Sequence, residues 1–303
     1  MESVDSRNEV REFLATRRAK LTPQQAGVPL FGGRRRVPGL RREEVALLAG
    51  VSTDYYTRLE KGHVTGVSDE VLYAVARALQ LDEAERAHLL DLVRAARPAR
   101  QPRRRPRTRI RPSLQRVLDA LTNAPAIVRN GRMDILASNP LGRALYSPVF
   151  DDPAHGGNIA RFQFLDPAAR DFHPNWDLAA DTTVAIMRTE AGRDPHNRDL
   201  TDLVGELATK SEQFRVRWAG HNVRLHYTGA KTFRHPVVGE VELSFEAVDL
   251  PTDDLWGLNL TIYTPEAATP AEDRIKLLAS WAASEDTESS NRTANHDGTR
   301  MHR

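Results

Sequence analysis

Glu43-Glu-Val-Ala-Leu-Leu-Ala-Gly-Val-Ser-Thr-Asp-Tyr-Tyr-Thr-Arg-Leu-Glu-Lys-Gly62 reads as two short helices joined by a tight turn. Val45, Ala46 and Ala49 share one face of the first helix, and the small Ala46 lets a second helix cross close over it. Gly50 stands where that helix must stop, because glycine enters left-handed backbone space without a steric penalty. Val51 plugs the corner, and Ser52 offers a hydroxyl to an otherwise unpaired backbone N–H at the start of the second helix. Tyr56 and Leu59 then face inward and Gly62 ends the helix. Thr53, Asp54, Tyr55, Thr57 and Arg58 are left pointing out. Hydroxyls, a carboxylate and a guanidinium at a helix start are groups that read base edges in a major groove. A generic helical hairpin can also carry a polar face. The small residue, glycine turn, cap and inward aliphatics at these spacings decide for double-stranded DNA.

Outward from this motif, residues 8–20 have Val10, Phe13, Leu14 and Arg17 at helical spacing. Residues 21–40 form a loop with Pro23, Pro29 and Pro38. Its Arg34-Arg35-Arg36 run is either a solvated cluster or, beside a DNA reader, a grip on phosphate or the minor groove. Arg41 and Arg42 at the motif's start and Lys61 at its end are expected on phosphates. Ser68 caps a further helix with Val71, Leu72, Val75 and Leu79 inward. Asp82 and Glu85 make a capping box for a fifth, with Leu89, Leu90 and Val93 inward. Residues 8–97 are thus expected to form an all-α, five-helix DNA-binding domain with a helix-turn-helix.

Residues 98–112 hold seven arginines and four prolines without an apolar face, so an extended linker is expected. A second domain then spans 113–283. Leu114, Val117, Leu118 and Leu121 make a short helix. The runs Ala126–Arg129 and Met133–Ala137 flank Asn130-Gly131, a hairpin signal. Asn139-Pro140 opens another helix, and helices are predicted at about 175–191, 199–209 and 211–220. Thr232–His235 is a short strand, followed by alternating strands with Val241, Leu243 and Phe245, then Leu258, Leu260 and Ile262, inward. The result is an α+β domain whose antiparallel sheet is covered on one side. Residues 284–303 are polar and without period, so a disordered tail is expected.

Composition separates the halves. Residues 1–112 carry 23 basic against 14 acidic residues, and the remainder 20 against 27. The basic front suits a polyanion and the acidic back does not. With no cysteine there is neither a disulfide framework nor a thiolate metal site. No apolar run approaches the ~20 residues of a membrane span, and the N-terminus lacks an apolar signal core, so a soluble, cytoplasmic protein is expected.

No residues suggest catalysis. The histidines of the back half show no metal-ligand spacing, no Gly-x-Ser-x-Gly turn or Walker loop occurs, and neither metal nor cofactor is implied. Trp218, His221 and Arg224 could form a pocket wall with a polar end, Arg224 pairing a carboxylate, and Leu243, Phe245 and Leu260 could complete the lining. The same apolar residues would equally make a core without a cavity.

Residues 43–62 resemble the helix-turn-helix of phage-repressor-like transcription factors, in which the positions of Thr53, Asp54, Thr57 and Arg58 face bases. The whole chain, over about 8–280, is similar to the MmyB-like transcription regulators. Arg34-Arg-Arg-Val-Pro-Gly-Leu-Arg-Arg-Glu-Glu-Val-Ala, Asp54-Tyr-Tyr-Thr-Arg-Leu-Glu-Lys-Gly, Phe164-Leu-Asp-Pro, Val204-Gly-Glu-Leu, Trp218-Ala-Gly-His-Asn-Val and His235-Pro-Val-Val-Gly-Glu carry the similarity. The resemblance implies a PAS-like ligand-binding domain behind the DNA reader, a fatty-acid-like ligand and a homodimer. The expected function is a ligand-responsive repressor. The alternatives are a second domain that only dimerises, or a DNA-tethered enzyme.

Overall fold

The computed structural model describes residues 2–28, 37–96, 110–195, 197–223, 227–250 and 257–298. It divides into two units, one of residues 1–104 with 184–225, the other of residues 105–183 with 226–303.

Five helices open the first unit: α1 (Glu2–Lys20), α2 (Arg42–Ala49), α3 (Thr53–Glu60), α4 (Asp69–Ala78) and α5 (Glu83–Ala96). The caps fall where the sequence placed them. Ser68 Oγ accepts the Val71 N–H, and Asp82 and Glu85 hydrogen-bond each other's backbone N–H groups at 3.1 and 2.8 Å. Val10, Phe13 and Leu14 of α1 join Val45, Tyr56, Leu72 and Leu89 in one core. The same unit includes the end of α11 (Trp176–Arg193), with α12 (Arg198–Lys210) and α13 (Glu212–Ala219). One boundary between the units, at 104/105, falls within the arginine- and proline-rich segment, and residues 184–225 join the first unit.

His88 of α5 shows how tightly this second segment packs. Its ring stands edge-on to Phe13 at 5.1 Å, and a Cβ on Gly192 would come within 2.5 Å of it. Neither ring nitrogen has a hydrogen-bond partner among the described residues. Burial first, then the charges of Arg188, His221 and Arg17, pull its pKa down to about 3. Below pH 6.5 the unfolded chain gains a proton here that the folded one refuses, so stability is lost as pH falls from about 6.5 towards 3. The variant His88→Leu is expected to lose stability less steeply across that range, measured by urea unfolding at pH 7 and pH 5; equal slopes would contradict the assignment.

The second unit is built from α6 (Pro112–Ala120), β1 (Ala126–Arg129), β2 (Ile135–Ser138), α7 (Pro140–Leu145), α8 (Ser147–Asp151), α9 (Ile159–Leu165), α10 (Ala168–Phe172), the start of α11, β3 (Thr228–His235), β4 (Gly239–Asp249), β5 (Asn259–Thr264) and α14 (Pro270–Gly298). The strands form one antiparallel sheet in the order β2-β1-β5-β4-β3. The order along the chain, a hairpin, then helices, then three strands, is the predicted one.

Three details depart from the sequence reading. The hairpin turns over residues 130–134, and its left-handed residue is Met133 (φ 68°) rather than Gly131. The Asn130 side chain holds the loop instead, accepting the N–H groups of Arg132 and Asp134 at 3.0 Å each. The sheet is covered on both faces around β5, where consecutive residues from Asn259 to Thr261 are all buried. Leu258 and Leu260 pack with Leu118 of α6, whereas Tyr263 faces the other way beside Phe245. Lastly, α14 continues to Gly298, past residue 284 where the sequence reading began a disordered tail.

Candidate nucleic-acid interface and ligand pocket

Arg41, in extended backbone, leads into α2, and its N–H is accepted by Glu44 at 2.7 Å. Gly50 takes φ 67° and ends α2, with the Val51 N–H bonded back to Ala46 at 3.0 Å. Ser52 Oγ accepts the Tyr55 N–H at 3.1 Å and starts α3. Tyr56 and Leu59 are buried, so the opposite side of α3 is fixed outward. Thr53, Asp54 and Arg58 are exposed there, with Thr57 partly buried. Tyr55 is partly buried and packs against the core, which makes it the least free of the five residues assigned to bases.

The end of α3 is held by a group that the sequence reading overlooked. Glu60 is 1 % exposed, with one carboxylate oxygen accepting Arg18 at 2.8 Å and the other accepting Arg42 at 2.6 Å. Arg18 also donates to the Leu40 carbonyl at 2.9 Å. Arg42, expected on phosphate, thus belongs first to the scaffold, although its side chain remains 48 % exposed. Arg41 lies 3.3 Å from Glu43, and Lys61 is exposed. Arg34, Arg35 and Arg36 lie outside the described residues.

Of the six residues expected to line a pocket, the five described ones are divided between the two units. Trp218 and His221 belong to the first unit. There Trp218 stacks on Phe214 at 5.5 Å, and His221 Nε2 sits 3.1 Å from Glu12 of α1. Leu243 and Phe245 belong to the other unit and face Lys231 and Tyr263, while Leu260 faces the opposite side of the same sheet. Arg224 lies outside the described residues.

The inward face of β3, β4 and β5 instead meets a cluster of aromatic rings. Tyr146, Phe172 and Phe233 stand 5.4 to 6.4 Å apart, and the hydroxyls of Tyr146 and Tyr263 lie 2.6 Å from each other. Lys231 shares this face, opposite Leu243 and two residues from Phe233. Had the strand been read from Thr228, its alternation would have placed Lys231 inward. An open groove of about 760 Å³ lies nearby and is lined by Asp151, Asp152, Asp166 and Asp171 with Arg234 and His235.

A family model described as the MmyB-like transcription regulator ligand binding domain matches residues 110–278, more than half of the chain. The chain belongs to the MmyB-like transcription regulators. A helix-turn-helix domain model matches residues 9–89, which contain α2 and α3. A search of curated proteins finds no match. The regulator therefore joins a DNA-binding unit to a ligand-binding domain, and this pair is that of a transcription regulator rather than an enzyme. The ligand-binding match runs through residues 184–223, which pack in the same unit as α1 to α5. No helix among the described residues is long and apolar enough to cross a membrane.

Proposed function

We propose that this MmyB-like regulator is a homodimeric, ligand-responsive repressor whose second domain takes a small apolar molecule of the fatty-acid type. The observation that carries the DNA side of the proposal is the outward face of α3, where Thr53, Asp54 and Arg58 stand clear of a core anchored by Tyr56 and Leu59. Thr53, Asp54, Tyr55, Thr57 and Arg58 read bases; Arg34, Arg35, Arg36, Arg41, Arg42 and Lys61 hold phosphates. In a dimer two copies of α3 meet successive major grooves, about one helical turn of DNA apart, on a palindromic site. Ligand acts by binding the DNA-competent and incompetent states with different affinity.

Arg58→Ala is expected to lower discrimination between operator and non-operator duplex by about 1–3 kcal/mol, because a guanidinium that pairs a base edge is lost. Arg35→Ala is expected to weaken binding evenly across sequences and to flatten its salt dependence. Both are measured by fluorescence anisotropy on the two duplexes over a salt series. Intact discrimination in Arg58→Ala would remove α3 from the groove. Native mass spectrometry of the purified full chain tests the ligand and the dimer together.

A further inference from the structure

We propose that Asp152, His155 and Asp166 hold a divalent transition-metal ion of the zinc class at the wall of the acid-lined groove. The site is separate from the fatty-acid reading above and does not depend on it.

Two segments of chain assemble the site. Asp152 and His155 lie on the turn that follows α8, and Asp166 caps the end of α9. Both aspartates line the groove. His155 is 5 % exposed, with its ring edge-on to Phe162 at 5.9 Å. Its Nε2 lies 2.8 Å from Asp166 Oδ2 and 3.8 Å from Asp152 Oδ2. One donor atom from each of the three residues lies within 4.8 Å of those from the other two. Around a tetrahedral ion with bonds of about 2.0–2.1 Å, donor atoms stand about 3.3 Å apart. The shorter distance opens and the longer one closes by about half an ångström to reach that spacing. The remaining carboxylate oxygens are already fixed. Asp152 Oδ1 accepts the Ala154 N–H and Asp166 Oδ1 the Ala168 N–H, each at 2.8 Å, which turns both Oδ2 atoms towards the imidazole.

The charges call for a cation as well. Neither Asp152 nor Asp166 pairs with a lysine or arginine among the described residues. Asp151 and Asp171 line the same groove, and its arginine, Arg234, is answered by Glu240 at 3.1 Å. His235 is committed elsewhere, with Nε2 3.0 Å from the Ala144 carbonyl and Nδ1 accepting the Val237 N–H at 3.2 Å. A hydrogen bond between the loop and α9 needs Asp166 alone and leaves the second carboxylate on the same nitrogen unexplained. A dication offsets both carboxylates at once. The donor set selects its kind: magnesium and calcium take oxygen ligands, whereas an imidazole beside carboxylates suits a borderline ion such as Zn²⁺. Three protein donors leave a fourth position for water or a donor atom of a small ligand, and the groove of about 760 Å³ gives it room. Sequence spacing did not mark the set, because Asp166 is reached only through α9, eleven residues past His155.

The test titrates the full chain, stripped of metal with EDTA and dialysed, with zinc chloride and separately with magnesium chloride, by calorimetry. The wild type is expected to bind zinc here and to ignore magnesium at the same concentrations. Asp152→Asn is expected to weaken zinc binding at least about 10-fold, and His155→Gln to abolish it. Asp152 is an exposed side chain, so its variant tests the site without risk to the core. Circular dichroism shows whether the His155 variant is folded. Zinc taken up by histidines elsewhere is common to all three proteins, so the site is the ion per chain that His155→Gln lacks. Coincident zinc isotherms for the wild type and Asp152→Asn, or no zinc uptake by the wild type, overturn the inference and leave only a hydrogen bond between the loop and α9.

Discussion

Glu60→Ala is expected to destabilise the DNA-binding unit by about 3 kcal/mol, the lower end of the range for removing one member of a buried ion pair. Glu60 is almost fully enclosed and answers two guanidiniums at once. Arg18 carries the larger part of the loss, because its side chain is only 16 % exposed and keeps only the Leu40 carbonyl after the substitution. Arg42 is about half exposed and recovers water, which is why the figure stays at the lower end. The triad fastens α1 and the start of α2 to the end of α3, so its loss should also blur the angle at which Arg58 is presented. Urea unfolding followed by circular dichroism measures the first effect, and duplex binding at a temperature where the variant is folded measures the second. Glu60→Gln keeps the volume and one acceptor and should fall between. A cost under about 1 kcal/mol for Glu60→Ala would show that the carboxylate is not a keystone of the motif.

The motif itself was legible because its signals are local. Gly50, Ser52 and the inward Tyr56 and Leu59 act within one turn of where they stand, and each is found in its expected role. Glu60 reads locally as one more acid on a short helix; its partner Arg18 lies 42 residues away, and no periodicity reports such a pairing. The sheet shows the same division. Alternation in β4 gave Val241, Leu243 and Phe245 a common face, correctly. It could not say whether Leu260 shared that face, because β5 is buried on both of its faces and its pattern no longer marks an inside. Asn130-Gly131 signalled a hairpin but not its loop, since the asparagine side chain organised a wider turn than a two-residue one. Trp218 and His221 have the chemistry of a pocket wall, yet chemistry does not state which helices a residue packs against.

The packing of Trp218 leads to the second large effect. Arg188→Ala is expected to destabilise the unit containing α1 to α5 by about 3 kcal/mol, although Arg188 lies within the span matched to the ligand-binding domain. Arg188 is 2 % exposed, pairs with Glu9 of α1 at 2.8 Å, donates to the Trp218 carbonyl and lies 3.8 Å over the Trp218 ring. Glu9 is about a third exposed and can rehydrate, so little of the expected loss is a stranded charge. Most of it is the cavity left by the largest fully buried side chain and the lost cation–π contact, worth about 2 kcal/mol when shielded from water. Arg188→Met separates these contributions, for it refills the volume without the charge and should recover the cavity part alone, about 1 kcal/mol. Arg17 reinforces the same seam, pairing with Glu85 of α5 at 3.0 Å and donating to the His221 carbonyl. Residues 184–223 thus complete the helical unit they join, and a fragment ending at residue 97 would lack Arg188, the partner of Glu9, and Gly192, which packs on His88. Thermal unfolding of the full-length variants, followed by tryptophan fluorescence, gives the comparison. If Arg188→Ala unfolds within about 1 kcal/mol of the wild type, the helices of residues 184–223 are lodgers on α1 rather than part of its core.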